Sequence, residues 1–576
     1  MAPVTDPRST VNSRLGVSET TDLLVVGGGP AGLAAAIEAA RSGISVILAD
    51  ENPVPAEVMG DDIPLHFGQR MGGAVRNRTG MTEAMLASEP LLELALEAGV
   101  DVRLGIFVWG LYANGRSVSW LPGMVAGLSD GATSWMLGCK TAIVAAGRRD
   151  MGLAFPGWER PGVMGATAAE RLATRYGALD ARRAVVLGTG AEALLAALAM
   201  HRAGIVVAAI VEQADASIGP ALLLDQIRQF GIEVLTRHVI AAAEGGADGV
   251  TAARLAPLDG AGRRQGEKRI ECDTIVLGIG AVPVIELLDA AGCRSAWVPG
   301  RGGHAPILDA AQMTSVPGIY SVGDCAGVWA KKSGDRTIAE AEGRRAAQAA
   351  VEAAGGQIAG TPPLPENAAK RSAMEPPVVE PPVTEVPVSE APVTGGPGIG
   401  ASVPEPLAVE PSTGASSSYR LDWVRAAVVE AVLPPGQAEP HVCQCEEVTA
   451  REILEVRPPR YLQWDRPRRN STDLTALLGE GAPNPDQVKR LTRAGMGLCQ
   501  GRRCREQVAA LLALGAGTGL SEVPLATFRA PVRPMPLSLA GSVPESEEMA
   551  RNWHVWFGIE GQVTPYWEID AGDAAT

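Results

Sequence analysis

The sequence has little positive charge and no long apolar segment. Its 576 residues contain 50 Lys and Arg against 65 Asp and Glu, a formal net charge of -15. This balance argues against a nucleic-acid-binding protein, which needs a basic surface. No apolar run reaches the roughly 18 residues that a membrane helix requires. The first segment is polar and lacks the basic start and apolar core of a secretory signal. We therefore expect a cytoplasmic protein without a membrane span.

Catalytic patterns built on histidine or on paired redox cysteines are also lacking. The chain has 6 histidines, and no Ser/His/Asp or metal-histidine spacing stands out. No CxxC or CxxxxC pair occurs before residue 499, which argues against disulfide reduction. Because cytoplasmic thiols stay reduced, the cysteines need an explanation other than disulfides. Four of the 8 are scattered singly, whereas the other four lie close together near the C-terminus.

What the chain does have is a long α/β pattern followed by a change of composition. Residues 22–356 alternate β-branched strands with Ala-rich helical stretches, which predicts an α/β fold with a parallel sheet covered by helices on both faces. A Pro-, Val- and Glu-rich stretch then predicts a semi-rigid or disordered linker. The final part holds an aromatic group that either docks to a partner or packs on its own domain. The predicted parts are 20–157, 158–290, 291–356, the linker 357–418, the cysteine region 419–516 and the tail 517–576.

A glycine motif near the N-terminus predicts a dinucleotide site. Gly27-x-Gly29-x-x-Gly32 lies between an apolar strand and an Ala-rich helix. The first glycine permits a tight turn, the second lets the backbone approach a pyrophosphate, and the third lets helix and strand pack closely. The following helix offers its N-terminal N–H groups to the phosphates. Asp50, with Glu51 beside it, ends the next strand at the offset of a ribose-binding carboxylate.

Two later segments complete a recognisable pattern. Gly147 ends the strand "TAIVAAGR", and Gly323-Asp324 lies in "TSVPGIYSVGDCAGV", before a predicted helix at 338–354. Together with the first motif they resemble the two-dinucleotide-domain flavoproteins of the glutathione-reductase-like superfamily. That resemblance implies bound FAD, with Asp324 on its ribityl chain. The sequence departs from the superfamily at Ala146, where relatives have Thr.

A second glycine motif lies between the flavin motifs, where that superfamily places its nicotinamide domain. Gly188-x-Gly190-x-x-Ala193 is followed by Glu212 at a similar offset, and a carboxylate there favours NAD over NADP. However, Ala193 replaces the third glycine, and Glu192 adds a negative charge near the phosphate path. Two alternatives to NAD therefore stay open: the domain has lost nucleotide exchange, or it holds another adenine nucleotide.

The clustered cysteines predict a [2Fe–2S] centre. Cys443-x-Cys445 and Cys499-x4-Cys504 supply the four thiolates that such a cluster needs. Zinc sites usually have two- to four-residue spacers, so these pairs match zinc poorly, although zinc and free thiols stay open as alternatives. FAD and a [2Fe–2S] cluster on one chain would convert two-electron into one-electron transfer. A flavin can accept two electrons as a hydride and release them singly, and a [2Fe–2S] cluster carries one electron at a time. The following features suit an anionic cluster: glycines at 495, 497 and 501, and the basic pair 502–503.

The cysteine region resembles a more specific family. "CQCEEVT" and "TRAGMGLCQGRRC" look like the bacterioferritin-associated-ferredoxin-like module fused to the large FAD subunits of bacterial amine and imino-acid dehydrogenases. "FPGWERPGVMGATAAERL" at 155–172 resembles a stretch of the same subunits. The resemblance implies a smaller FAD-containing catalytic subunit that oxidises a small-molecule amine, and sometimes a small ferredoxin-like third subunit. The departures are the stretch after residue 53, the linker and the insert between the cysteine pairs.

Three functions therefore compete on the sequence. The favoured one is the electron-transferring FAD/[2Fe–2S] subunit of a hetero-oligomeric dehydrogenase that oxidises a C–N bond of an amino acid, opine or imino acid. The second is a self-contained NAD(P)H-dependent ferredoxin or dye reductase. The third is a non-catalytic electron-carrier subunit. No substrate-side catalytic residue can be named, because His66 and Arg70, in the flavin-side loop, are better explained by structural or solvated roles.

Overall fold

A computed structural model gives the fold of the chain. It describes residues 16–53, 76–114, 121, 123–356, 420–431, 439–458, 473–540 and 551. The loop with His66 and Arg70, the linker 357–418, the insert after residue 458 and the aromatic residues 553–567 lie outside the described residues.

The first part of the chain builds a mixed sheet with the order β3-β2-β1-β6-β5-β4. Strands β1, β2, β3 and β6 are parallel, and β4 and β5 join as antiparallel strands. The central strand β1 has fully buried apolar residues from Leu23 to Val25, as expected of a strand covered on both faces. The elements are β1 (Val17–Val26), α1 (Pro30–Arg41), β2 (Val46–Asp50), α2 (Arg78–Ser88), α3 (Leu91–Glu97), β3 (Asp101–Leu104), β4 (Phe107–Tyr112), β5 (Met124–Ser129), β6 (Ser134–Val144) and β7 (Arg148–Asp150).

The second part builds a parallel sheet with the order β11-β10-β9-β15-β8, beside an antiparallel sheet of β12, β13 and β14. Its repeated strand–helix units follow the alternation of β-branched and Ala-rich segments in the sequence. The elements are β8 (Val163–Gly165), α4 (Ala166–Thr174), β9 (Arg183–Leu187), α5 (Ala191–Arg202), β10 (Val206–Val211), α6 (Ala221–Gln229), β11 (Val234–Leu235), β12 (His238–Gly246), β13 (Gly249–Pro257), β14 (Lys268–Glu271) and β15 (Thr274–Leu277).

The chain then returns to the first sheet through a two-stranded ribbon. In this ribbon β16 pairs antiparallel with β7, and β19 afterwards joins the first sheet beside β6. The long helix α9 packs along α1. These sheets and helices confirm the predicted α/β, two-dinucleotide-domain fold. The elements are β16 (Ala281–Pro283), α7 (Glu286–Ala290), β17 (Ser295–Val298), β18 (Gly303–Pro306), β19 (Ile319–Ser321), α8 (Ala330–Gly334) and α9 (Arg336–Ala353).

The cysteine region is small and mostly helical, and it shares a core with the second sheet. One buried apolar cluster contains Trp158 and Val185 together with Trp423 and Leu511. The two parts are therefore separated by the linker in sequence but not in packing. The elements are α10 (Leu421–Val424), which continues as a π-helical turn at 425–429, β20 (His441–Cys443), β21 (Val448–Thr449), α11 (Ala450–Leu454), α12 (Leu474–Glu480), α13 (Pro485–Thr492), α14 (Arg505–Ala516) and α15 (Leu537–Ala540).

The described part of the tail packs on the chain's own flavin-type fold. The backbone N–H of Phe528 donates to Asp289 at 2.9 Å, and that of Val532 donates to the carbonyl of Trp109 at 2.8 Å. Val532 is buried among residues of the first sheet. Up to residue 540, the tail therefore behaves as an intramolecular strap. Within the described residues, no helix is long and apolar enough to span a membrane.

Acid should weaken the contact between β18 and the tail. Burial lowers the pKa of His304 from its ordinary value of 6.5 to about 4, against a hydrogen bond to the Val523 backbone. The folded protein keeps His304 neutral, because its pKa is lower in the folded state than in the unfolded state. The resulting contribution to the free energy of unfolding is full above pH 6.5 and is lost as the pH falls towards 4. The loss is at most about 3 kcal/mol at roughly 1.4 kcal/mol per unit. The H304F variant keeps the ring against Trp297, and its melting temperature should fall less on acidification than that of the wild type; parallel melting curves between pH 7 and 4.5 would contradict this account.

Candidate flavin and four-cysteine sites

The first glycine motif has the close contacts that its residue types require. Gly27 has φ +107°, and a Cβ there would overlap the carbonyl oxygen of Ala145. A Cβ on Gly32 would overlap the carbonyl oxygen of Gly27. By contrast, a Cβ on Gly29 would meet open space, and Gly29 caps the N-terminus of α1. The turn and the helix contact therefore need glycine, while the helix end remains accessible to a phosphate.

The two acidic residues after β2 have different partners. Asp50 is buried and accepts hydrogen bonds from the backbone N–H of Gly28 and, through its other oxygen, from the Asn52 N–H at 2.7 Å. Glu51 instead pairs with Arg533 of the tail. Asp50 therefore contacts the glycine turn, whereas Glu51 forms an ion pair with the tail.

The second flavin motif is fixed directly onto the first. Gly323 has φ +67° and donates its N–H to Glu342 of α9 at 2.8 Å. The fully buried ammonium of Lys332 donates to the Gly323 carbonyl at 2.7 Å and pairs with Glu342 at 3.2 Å. On the same helix, a Cβ at Gly343 would overlap the carbonyl of Ala31 in α1. This backbone contact brings the Gly323-Asp324 turn beside the N-terminus of α1.

Arg148 links the two nucleotide folds, and the sequence analysis missed it. It follows Gly147, which has φ +77° and open space around its Cβ position. The Arg148 guanidinium donates to Ser333 at 2.9 Å, and it lies 3.6 Å from Asp324 and 3.5 Å from Glu192. The available signal was an arginine directly after the strand-end glycine. Its charge is therefore shared between the flavin motif and the first turn of α5.

The second glycine motif forms a similar turn with one compensating exchange. Gly188 has φ +97°, and a Cβ there would overlap the carbonyl of Gly278. Ala193 takes the place of the third glycine, and its Cβ occupies the space beside Gly278 that a side chain there would need. In this fold the glycine at the close contact is therefore Gly278, directly after β15, rather than the third position of the motif. Gly190 caps the N-terminus of α5.

Glu212, the predicted ribose carboxylate of this motif, is fully engaged by the protein. It is 0% exposed. It accepts hydrogen bonds from the Thr189 hydroxyl at 2.6 Å and the Ala214 N–H at 2.9 Å. Its remaining partner is Arg420, whose guanidinium lies 2.6 Å away. The ribose end of this fold is thus closed by a residue from the far side of the linker.

The four clustered cysteines come together as two pairs. Cys443 hydrogen-bonds with Cys504, and Cys445 with Cys499. The hydrogen bond from Cys445 lowers the pKa of Cys499 to about 5. Within the described residues, no group of three or more His, Cys, Asp or Glu side chains is arranged to hold a single metal ion. The four thiols are near enough to influence one another electrostatically, and four thiolates are the ligand number that a [2Fe–2S] cluster requires.

The surroundings of the thiols fit an anionic group. The Gly495 N–H donates to the Cys443 sulfur at 3.3 Å. A Cβ on Gly497 would overlap Cys445, so the loop can close over the sulfurs only with glycine there. A small cavity adjoins Cys504, and its wall includes the cationic side chains Lys489 and Arg505. Backbone N–H groups and cations favour a negatively charged cluster in such a position.

A buried arginine connects this loop to the flavin-type fold. Arg149, next to Arg148 on β7, is 7% exposed. It donates to the carbonyl of Arg502 at 2.9 Å and pairs with buried Glu286. A second connection runs from the Trp158 indole N–H to the His441 carbonyl at 3.0 Å. Arg149, which binds the cysteine loop, follows Gly147 by only two positions in the sequence.

Known families match two regions of the chain. A family profile described as pyridine nucleotide-disulphide oxidoreductase matches residues 21–354, and a sarcosine oxidase A3 domain matches 470–542. An opine oxidase subunit of Agrobacterium tumefaciens is 26% identical, covering 92% of this chain and 93% of that one. Hydrogen cyanide synthase subunit HcnB of Pseudomonas aeruginosa is 25% identical over 89% and 97%. The alpha subunit of sarcosine oxidase from a Corynebacterium is 30% identical over 46% of this chain and 27% of its own.

One solved structure supports the fold over nearly the whole chain. L-proline dehydrogenase from P. horikoshii superposes with a TM-score of 0.52 at 17% identity, covering 90% of this chain and 79% of that one. At this identity the likeness extends to the fold alone.

The contact between α1 and α9 should control flavin retention. In the G343V variant the new side chain would meet the Ala31 carbonyl, and overpacking of this kind costs about 1–3 kcal/mol. We expect roughly ten- to hundredfold weaker FAD binding, measured as flavin per chain after gel filtration. A341V places the same side chain on the exposed face of α9 and should retain full flavin. Equal flavin content in both variants would contradict this role.

Proposed function

The chain belongs to the pyridine nucleotide-disulphide oxidoreductase family, and from this premise we propose that it is the electron-transferring subunit of a hetero-oligomeric dehydrogenase that oxidises a C–N bond. Its likeness over most of its length to subunits of opine oxidase and hydrogen cyanide synthase agrees with the family identified from the sequence. The observation that carries the proposal is the hydrogen bond from Arg149, beside the flavin motif, to the four-cysteine loop.

FAD would be held by the first glycine motif, Asp50 and the Gly323-Asp324 turn. FAD supplies two-electron oxidation and one-electron release when bound. The chain's own contribution is orientation and charge. Lys332 and Glu342 fix the Gly323 turn from both sides, and Arg148 places a cation beside Asp324. Placing the buried charges as pairs limits the cost of removing them from water.

The [2Fe–2S] cluster would be held by Cys443, Cys445, Cys499 and Cys504. It supplies one-electron transfer when bound. Burial of Cys443, Cys499 and Cys504 keeps water away from three of the thiols, and only Cys445 is exposed. The Gly495 N–H at Cys443 and the cations around the Cys504 cavity would favour the anionic cluster.

The flavin fold has no thiol partner of its own in the described residues. Cys139, Cys272, Cys293 and Cys325 are each buried and unpaired with another cysteine. Burial raises the pKa of Cys325, next to Asp324, to about 11, which disfavours the reactive thiolate. We therefore take the four-cysteine loop as the redox partner of the flavin, and disulfide reduction is not the proposed activity.

The substrate would be an amine oxidised on another subunit. The relatives are named as subunits, which implies partner chains. We assign amine oxidation to a smaller FAD-containing subunit, with a small ferredoxin-like subunit as an optional third member. The substrate class is a small amino acid, opine or imino acid, in keeping with the names of the relatives.

Co-expression with the adjacent reading frames tests the function. The purified complex should be reduced anaerobically by an opine, sarcosine-type amine or imino acid, with bleaching of the flavin and a [2Fe–2S] electron paramagnetic resonance signal. NADH should not replace the amine. A complex that no such amine reduces, or a chain whose flavin NADH bleaches rapidly, would overturn the proposal in favour of a self-contained reductase.

Removal of one cysteine tests the cluster separately. C443S should lower iron to less than half of the wild-type content and abolish the paramagnetic signal, because the serine hydroxyl is a poor substitute for a thiolate. C272A removes a buried cysteine outside the group and should keep full iron. Zinc in place of iron in the wild type, measured by mass spectrometry, would exclude the electron-transfer role of the loop.

The Arg149 contact should set the rate of electron transfer within the chain. Replacing Arg149 alone would leave Glu286 as an unpaired buried charge, which costs about 3–5 kcal/mol. We therefore choose the double variant R149M/E286Q, which removes the contact to the Arg502 carbonyl without that charge. Cluster reduction after flavin reduction, followed by rapid-freeze spectroscopy, should be about tenfold slower, as a misplacement of about 1 Å can cost more. An unchanged rate with intact iron content would show that Arg149 does not position the loop.

A further inference from the structure

We propose that Arg420 is an internal ligand of the second nucleotide fold, where its guanidinium closes the ribose end and anchors the cysteine region. In this arrangement the fold serves as a socket for the chain's own post-linker segment and takes NAD only when Arg420 is displaced. The proposal concerns a site that the electron-transfer function does not use, so either can fail without the other.

At the ribose end, the carboxylate of Glu212 has no accessible oxygen. Arg420 lies at 2.6 Å from one oxygen, which also accepts from the Ala214 N–H. The other oxygen accepts from the Thr189 hydroxyl and backbone N–H. A ribose diol needs the same carboxylate as its acceptor. A nucleotide would therefore have to replace Arg420 and leave a buried carboxylate without its cation, which is strongly unfavourable.

The segment around Arg420 is itself held in place. Gln213, the residue after Glu212, donates from its side chain to the Asp422 carbonyl at 3.1 Å. Trp423 is 0% exposed and belongs to the core that includes β9 and β10 residues. Arg420 also pairs with the side chain of Asp422. The socket thus holds the segment by a buried ion pair, a backbone hydrogen bond and a buried aromatic ring.

The loop after β10 closes the same end from the other side. The Ile218 N–H donates to the Thr189 hydroxyl at 3.0 Å, and a Cβ on Gly219 would overlap the Thr189 carbonyl. Thr189 is the middle residue of the glycine turn and is 0% exposed. The backbone of this loop therefore lies against the turn that would otherwise approach a dinucleotide.

The phosphate end carries a negative charge of the protein's own. Glu192, in the first turn of α5, is 4% exposed and accepts a hydrogen bond from Ser333 at 2.7 Å. A carboxylate at a helix N-terminus occupies the place where the helix dipole would favour a phosphate. Its charge is partly balanced by Arg148, which lies 3.5 Å away. Residues of this chain therefore occupy both the ribose end, through Arg420, and the phosphate end, through Glu192.

Nucleotide binding tests whether Arg420 is the closing group. NAD is titrated calorimetrically into the flavin-loaded full chain and into the R420M variant. We expect R420M to bind NAD about tenfold or more tightly than the wild type, because a site that is mostly closed has its affinity reduced by the open fraction. R425M removes an exposed arginine from the same short helical segment and should match the wild type. Equal affinities of wild type and R420M, or no binding to either, would overturn the closure.

Coupling between the two charges tests the anchor. E212Q and R420M should each lower the melting temperature by several degrees, whereas the double variant E212Q/R420M should lose clearly less than the sum of the two. Residues in direct contact show such non-additivity, and independent residues do not. The double variant leaves no buried charge unpaired, because Asp422, the other partner of Arg420, has a partly exposed side chain. It should therefore fold even where a single variant is poorly stable. Strictly additive shifts would show that Arg420 and Glu212 do not act as a pair.

Discussion

The apolar core shared by the second nucleotide fold and the cysteine region is the constraint on which the rest of the structure depends. Trp158 and Val185 from one part and Trp423 and Leu511 from the other belong to the same buried cluster. Apolar burial is the dominant favourable contribution to folding, so this cluster joins two parts that the linker separates in sequence. Hydrogen bonds such as those of Trp158 and Arg149 then select one orientation of the cysteine loop.

Buried ion pairs add orientation more than stability. Arg149 with Glu286, Lys332 with Glu342 and Arg420 with Glu212 each place two charges in the interior. Such pairs roughly offset their own desolvation, but breaking one is costly because the remaining charge has no partner. Each of the three pairs lies at a junction, where the cysteine loop, the flavin turn or the post-linker segment meets its neighbour. The interior charges therefore fix how the parts fit together.

The sequence was sufficient for the local motifs. Gly27 and Gly188 lie in turns, and Gly32 lies in the first part of α1, at places where a side chain would overlap backbone; such requirements are visible in a short window of residues. The grouping of four cysteines was equally visible from their spacing. Which thiols lie next to each other was not visible from the spacing: Cys443 approaches Cys504, and Cys445 approaches Cys499. These contacts join the two motifs across the long insert, and no local pattern encodes them.

Contacts between distant residues could not be predicted from one sequence. The partners in the Arg149–Arg502 hydrogen bond are 353 residues apart, and Arg420 and Glu212 are 208 apart. Arginine and glutamate are common surface residues, so only the fold shows that these are buried. The same holds for the tail, whose described part lies on α7 and β4 rather than on a separate surface. The aromatic residues 553–567 lie outside the described residues, and their docking role stays a prediction.

Only one of the four thiols faces solvent, and this gives the site a direction. Cys443, Cys499 and Cys504 are enclosed by protein, whereas Cys445 is exposed. Beside it, Met496 and Leu498 are 43% and 63% exposed on either side of Gly497. A centre held by these sulfurs would be shielded from water at the three buried cysteines and open to solvent at Cys445. A redox partner that docked against this loop would therefore reach the centre most directly at Cys445, on the side opposite the buried thiols.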